Sequence, residues 1–207
     1  GFDMASSCAA IRCGINPAKE TRFMGPGGEF LVGCQVPVDP PVRGLDRLVF
    51  FASWAIAECL QAAAPAHPET IPLVLCGAER GRPGRSETLD KDLFEGIQTE
   101  LKVKFHPVSG MLFQGRVSAA KALKSAERFI HDGHAPFCVI AAADSLLTGP
   151  LLASLVRRRR VLFPDNSDGF IPGEAGSAVL LAAPRSKETE LVCLGVGVAT
   201  EKATVES

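Results

Sequence analysis

The chain has 207 residues, 46% hydrophobic and 22% charged, with a formal net charge of -1. That length suits one full-sized α/β domain or two small ones. The balance excludes a disordered chain and a nucleic-acid binder working through bulk positive charge.

The chain opens on Gly1-Phe2-Asp3-Met4, with no methionine at position 1, and runs quickly into a helical pattern over Ala5–Cys13 that Gly14 stops. Such a start reads as a fragment, or as a chain whose first residues are missing. A loop rich in proline and glycine is expected from Pro17 to Pro41. Leu45–Ala64 is apolar on most faces, with Leu48, Phe51, Trp54, Ala55 and Ala57, and predicts a buried helix. Pro65 ends it, because proline neither donates to a helix nor fits inside one. Ile71–Cys76 is a short apolar run bounded by turn residues, hence a central strand.

Gly77–Ser86 holds three arginines and three glycines and reads as an exposed loop. An amphipathic helix over Thr88–Leu101 turns Leu93, Phe94 and Ile97 inward, and a strand or extended segment covers about Lys104–Phe113. Val117–Ile130 spaces Ala119, Ala122, Leu123, Ala126, Phe129 and Ile130 for a helix, which Asp132-Gly133 terminates. Phe137–Ala143 has no polar alternation, as a strand covered on both faces requires, so it is expected to be central and buried. A helix over Leu151–Val156 runs into Arg157–Arg160, and strands are expected at Ala178–Ala182 and Leu191–Val198. Strands alternating with helices predict a layered α/β fold.

No apolar run approaches the roughly 18 residues of a membrane helix; Leu48–Leu60 is broken by Ser53, Glu58 and Cys59. The seven cysteines form no Cys-x-x-Cys pair, which argues against a disulfide framework and a zinc ribbon. Cys76 and others sit in apolar runs, where a thiol acts as a small hydrophobe. No secretory leader pattern opens the chain. These features predict a reducing, cytoplasmic setting and no metal. No Walker or Rossmann phosphate loop occurs.

From Arg128 the residues follow an ordered pattern. Arg128-Phe129-Ile130-His131-Asp132-Gly133 leads into Phe137-Cys138-Val139-Ile140-Ala141-Ala142-Ala143-Asp144. Phe163-Pro164-Asp165-Asn166-Ser167-Asp168-Gly169-Phe170-Ile171-Pro172-Gly173-Glu174-Ala175-Gly176 then enters a strand. This resembles the N-terminal half of a β-ketoacyl synthase of the thiolase superfamily, well after Val117 and weakly before it. The resemblance implies a thiolase-like α-β-α fold with a mixed, mostly parallel sheet and a buried helix. It further implies that residues 1–207 form a single half domain without its first strand and its C-terminal half.

The glycine-rich motif also has a reading of its own. Gly169, Gly173 and Gly176 permit torsions and close approaches that a Cβ forbids, and Asn166 and Asp168 can bridge the turn through its backbone. Asp168 and Glu174 therefore read as structural before catalytic, and Phe170 belongs to the same turn.

What the resemblance implies chemically is acyl transfer and condensation on carrier-protein thioesters, without a cofactor. Its nucleophile is a cysteine at the N-terminus of a buried helix, where free N–H groups and the helix dipole favour a thiolate. Counting back from Gly133, that position falls on Arg116, and no cysteine lies between Cys76 and Cys138. An arginine stays protonated and is no nucleophile. Arg116 either binds a carboxylate or phosphate there, or fills the old pocket. Ser118 is the alternative nucleophile, although no Gly-x-Ser-x-Gly elbow surrounds it. His67, His106, His131 and His134 do not fall on the family's two histidine positions.

Two functions follow as expectations. One is an active 3-oxoacyl-carrier-protein synthase completed by residues outside this chain. The other is a non-catalytic homologue, a pseudoenzyme working as a partner subunit or acyl-binding scaffold. The resemblance implies a homodimer, or a heterodimer with a related subunit, paired along about Val108–Phe113, and an acyl carrier protein as partner. Arg157–Arg160 and Arg80–Arg85 read first as solvated surfaces and second as docking patches for an acidic partner.

Overall fold

The computed structural model describes residues 1–184 and 191–199. Helix α1 spans Met4–Arg12; Asp3 caps it, its side chain accepting from the Ser6 N–H while Ser6 answers in return. Strands β1 (Lys19–Met24) and β2 (Phe30–Gly33) form an antiparallel hairpin, where the proline and glycine content had predicted a loop. The segment pairs because Thr21 and Leu31 turn inward together, the Thr21 hydroxyl donating to the Leu31 carbonyl at 2.8 Å. Helix α2 covers Gly44–Ala62, strand β3 Leu73–Cys76 and helix α3 Leu89–Leu101. Strand β4 is only Gly110–Leu112. The longer strand predicted from Lys104 fails because Pro107 lacks an N–H and Phe105 turns onto Phe94 of α3, ring centroids 6.5 Å apart.

Helix α4 (Ser118–His131), strand β5 (Phe137–Ser145), helix α5 (Gly149–Arg157) and strand β6 (Glu174–Ala182) complete the fold. Gly133, at φ +71, ends α4 in the left-handed region that glycine accepts without strain. The main sheet has the order β4-β3-β5-β6; β3 runs parallel to both neighbours, and β6 is antiparallel to β5.

Alternation along β3 and β5 builds three layers. Leu73, Leu75, Val139 and Ala141 face α2 and α3, joining Ile56, Leu93 and Ile97. Val74, Cys76, Cys138 and Ile140 face α4 through Ala122 and Ala126. Val139 and Ile140 are buried, as the unbroken apolar run of β5 predicts. Each fully buried Leu or Ile contributes about 1.5–3 kcal/mol, so these two clusters dominate the fold's stability.

Three expectations change. Trp54, expected inside α2, is 43% exposed and packs its ring against Phe50 and Phe2. Ala119, expected on the inner stripe of α4, faces out, because the buried stripe runs through Ser118, Ala122 and Ala126, four residues apart. Residues 191–199 form no strand: Leu191, Leu194 and Val198 are exposed, and no sheet edge pairs with them.

Candidate functional site

The carboxyl ends of β3, β4 and β5 lie side by side, and the loops that leave them carry the charged side chains. Ligands of open α/β sheets gather at this edge. From β3 comes the segment Glu79–Arg85, from β4 the turn into α4, and from β5 Asp144 and Ser145.

Arg82 is the centre. Its side chain is 11% exposed, and it bridges Glu79 and Asp144, with Nε to Glu79 Oε1 at 3.0 Å and Nη1 to Asp144 Oδ2 at 2.6 Å. Burial alone would pull the guanidinium down, but bonds and charge from Glu79 and Asp144 hold it above its ordinary value. The bond from Arg82 lowers the Glu79 pKa against a desolvation that raises it, and the Arg116 charge adds to the lowering. Arg80, read as solvated, is 75% exposed, whereas Arg85, read the same way, turns inward. Both pair with Asp90 and lie over the Phe113 ring, 5.4 and 5.1 Å from its centroid, and Arg85 is almost fully buried.

Arg116 stands on a short 3₁₀ turn, Gly115–Val117, just ahead of α4. It is exposed. A cation at the positive end of a helix is unfavourable unless an acid answers it; the Arg116 charge helps lower the Glu79 pKa through space, with no ion pair between the two. Gly115 sits at φ +56, in the left-handed region that strains a side chain, and a Cβ there would come within 3.0 Å of Glu79 Oε2.

Ser118 is fully buried. Its Oγ accepts from the Gln114 N–H at 2.9 Å and donates to the Leu112 carbonyl at 3.3 Å. The hydroxyl closes the turn from β4 into α4.

A second network lies beside the first. Glu174 Oε1 accepts from the Val36 N–H at 3.0 Å and from Arg47; Oε2 accepts from Arg47 Nε at 3.0 Å and from Ser145 Oγ at 2.8 Å. Arg47 also donates to the Val42 carbonyl at 3.1 Å and stacks 5.0 Å from the Phe51 ring centroid. The acid of the glycine-rich motif therefore ties α2, β2's exit and β5 to β6.

The rest of that motif is architectural. A Cβ on Gly169 would overlap the Val161 backbone, and one on Gly176 the Phe51 carbonyl of α2. Gly173 packs on Cys34. Asn166 Nδ2 donates to the Arg159 and Val161 carbonyls at 2.8 and 2.7 Å. Asp168 and Phe170 are exposed, and Asp168 bonds to no described residue.

Between the two networks and the hairpin opens a cleft of about 930 Å³. Val36, Val42, Leu48 and Leu147 give it apolar walls, with Arg82 and Asp144 on its side. Among the described residues no cluster of His, Cys, Asp and Glu could hold a metal. None of their helices is long and apolar enough to cross a membrane. His67, His131 and His134 are exposed, and His106 accepts from the Val108 N–H at 3.2 Å. Cys59, Cys76 and Cys138 are buried, and burial pushes their pKa values up to about 11, 11 and 12.

Helices on both faces of a mixed, mostly parallel sheet make a layered α/β fold, and solved ketosynthase structures share it. The chain is similar to the ishigamide ketosynthase/chain length factor, at 19% identity and a TM-score of 0.60, covering 90% of this chain and 59% of that one. It is likewise similar to a β-ketoacyl synthase from Burkholderia phymatum STM815, at 15% identity and a TM-score of 0.56, covering 87% of this chain and 55% of that one. The chain thus spans a little over half the length of both. The sequence itself matches no family model and no curated protein.

Sequence reasoning missed Glu79, Arg82, Arg47 and Phe113 as parts of the site. Asp144 was visible as the acid ending a small-residue strand, but its partner was not, since a loop of arginines and glycines looks solvated.

Proposed function

We propose that this chain is a non-catalytic ketosynthase-fold subunit, a partner or acyl-binding scaffold in chain building on carrier-protein thioesters. The observation that carries the reading is the entrance to α4. There a charged, exposed Arg116 stands where the resemblance calls for a thiolate, and the Ser118 hydroxyl is spent on the Gln114 N–H and the Leu112 carbonyl. A guanidinium has no lone pair to attack a thioester at neutral pH. The buried cysteines stay protonated, and a thiol so held is a poor nucleophile. The cleft beside Arg82 supplies apolar walls on which a chain could rest.

The test is a condensation assay with acyl-carrier and malonyl-carrier thioesters. No product above background is expected from the parent chain. Arg116→Cys alone is expected to leave condensation absent, because no histidine of this chain stands at the site to stabilise an oxyanion, and losing one such donor already costs on the order of 10²–10³ in rate. Steady turnover by the parent chain refutes the reading.

A further inference from the structure

The loop between β3 and α3 is held by bonds among its own residues and to Asp90 in the first turn of α3. Arg82 pairs with Glu79; Arg80 and Arg85 pair with Asp90; Arg85 donates to the Ala78 and Ser86 carbonyls at 3.0 Å each. Backbone bonds Arg82 N–H to Glu79 and Arg85 N–H to Arg82 tighten the same turn. Beyond its roots, the core-buried Ala78 and Asp90 of α3, the loop meets the rest of the molecule at Gly115, whose turn lies against Glu79, and in three further ways. Phe113 lies under Arg80 and Arg85, Gly84 rests against Pro150 of α5, and Arg82 reaches Asp144 of β5. Among the described residues the last is the single ion pair that joins the loop to the opposite wall of the cleft. Arg82, Pro83 and Gly84 line one wall, and Asp144, Ser145 and Leu147 line the other.

From this arrangement we infer that residues 78–88 form a lid over the cleft, and that Arg82–Asp144 is its latch. The loop is stiffened internally by its arginines, and Gly81 and Gly84 sit in the left-handed region at φ +85 and +76, where the chain can turn back on itself within three residues. It therefore moves as one piece about its roots in β3 and α3 rather than unravelling. Asp144 is 44% exposed and Arg82 11%, so the bond is reached from solvent on the carboxylate side. A carboxylate or phosphate arriving in the cleft meets the guanidinium only by displacing Asp144, which couples entry of an anion to release of the lid. Arg82 keeps Glu79 after release and is never left as an uncompensated buried charge.

Hydrogen exchange on the parent chain and two variants tests this. Asp144→Asn retains size and the acceptor for the Ser145 N–H but removes the charge. Exchange over 78–88 is expected to rise two- to fivefold, the scale of one half-exposed ion pair, with 137–143 of β5 unchanged. Glu79→Gln weakens the Arg82 bond inside the loop and removes the charge facing Arg116 but leaves Arg82–Asp144 in place, and is expected to leave the opening rate at the parent value. Raising salt to 1 M, where the Debye length shrinks to about 3 Å, is expected to accelerate 78–88 in the parent chain and not further in Asp144→Asn. Three results overturn the latch: no change in Asp144→Asn, an equal rise in Glu79→Gln, or a parallel loss of protection in 137–143. The salt response of the unmodified chain decides the question even if Asp144→Asn folds poorly.

Discussion

Removing the Glu174 side chain strips the acceptor from four donors at once: the Val36 N–H, Ser145 Oγ, and two nitrogens of Arg47. The carboxylate is 2% exposed and the arginine 10%, so Glu174→Ala leaves a guanidinium in the interior with only the Val36 and Val42 carbonyls for company. Breaking a buried pair from one side costs about 3–5 kcal/mol. For a domain of this size, each kcal/mol moves the thermal midpoint by about 2–4 °C, so the midpoint should fall by about 6–20 °C. Differential scanning calorimetry reads it directly. Replacing both partners by methionine should recover most of the loss, since two well-packed apolar chains replace two desolvated charges. Asp168→Ala, six residues upstream in the same motif and bonded to no described residue, should move the midpoint by less than about 2 °C. A Glu174→Ala midpoint within 2 °C of the parent would refute the assignment of Glu174 as the tie between α2, β5 and β6.

Glu79 supplies a pH test. Its pKa is held below the ordinary 4.5, first by the bond from Arg82, so the folded state binds the proton more weakly than the unfolded state. The stability it gives is present above pH 4.5 and lost as pH falls through the depressed value, so Glu79→Gln should flatten the acid limb of a stability–pH curve; an unchanged limb contradicts the pairing. The buried thiols behave oppositely. Their pKa values of about 11 to 12 exceed the ordinary 9.0, so stability falls as pH climbs above 9; at pH 8, iodoacetamide should modify exposed Cys8, Cys13 and Cys193 while Cys59, Cys76 and Cys138 resist until unfolding. Fast native labelling of Cys138 would show that the α4 layer is misplaced. The outer edge of β4 pairs with no described strand, and an open edge invites pairing; a homodimer through Gly110–Leu112 should appear in sedimentation velocity and vanish in Met111→Pro. A monomer at all concentrations contradicts it.

The core was legible in the sequence because its signals are local. Phe137–Ala143 reads as a two-faced buried strand from its own seven residues, and α2, α3 and α4 from their spacing, with ends shifted by one or two positions. The hairpin Lys19–Gly33 was not, since its glycines and prolines sit in the turn and hide an alternation only two side chains deep. At the site, the motif around Gly169 and Gly176 announced close packing, which is what the Val161 and Phe51 backbones require of it. The Arg82–Asp144 and Arg47–Glu174 pairs span 62 and 127 residues. No window on a single sequence brings such partners together, and an arginine-rich loop looks the same whether it faces water or a carboxylate. Leu191–Val198 is an apolar run that reads as a strand yet pairs with no described strand, because an apolar run does not supply a neighbour.

The central claim is that no acyl group attaches covalently where α4 begins, and intact-mass spectrometry tests it most directly. The protein is incubated with an acyl-carrier thioester, quenched in acid and weighed, with peptide mapping of any adduct. The account predicts the unmodified mass, because Arg116 offers no nucleophile and the Ser118 hydroxyl is buried and bonded on both sides. A stoichiometric acyl adduct mapped to Ser118 or to any cysteine of the chain would contradict it.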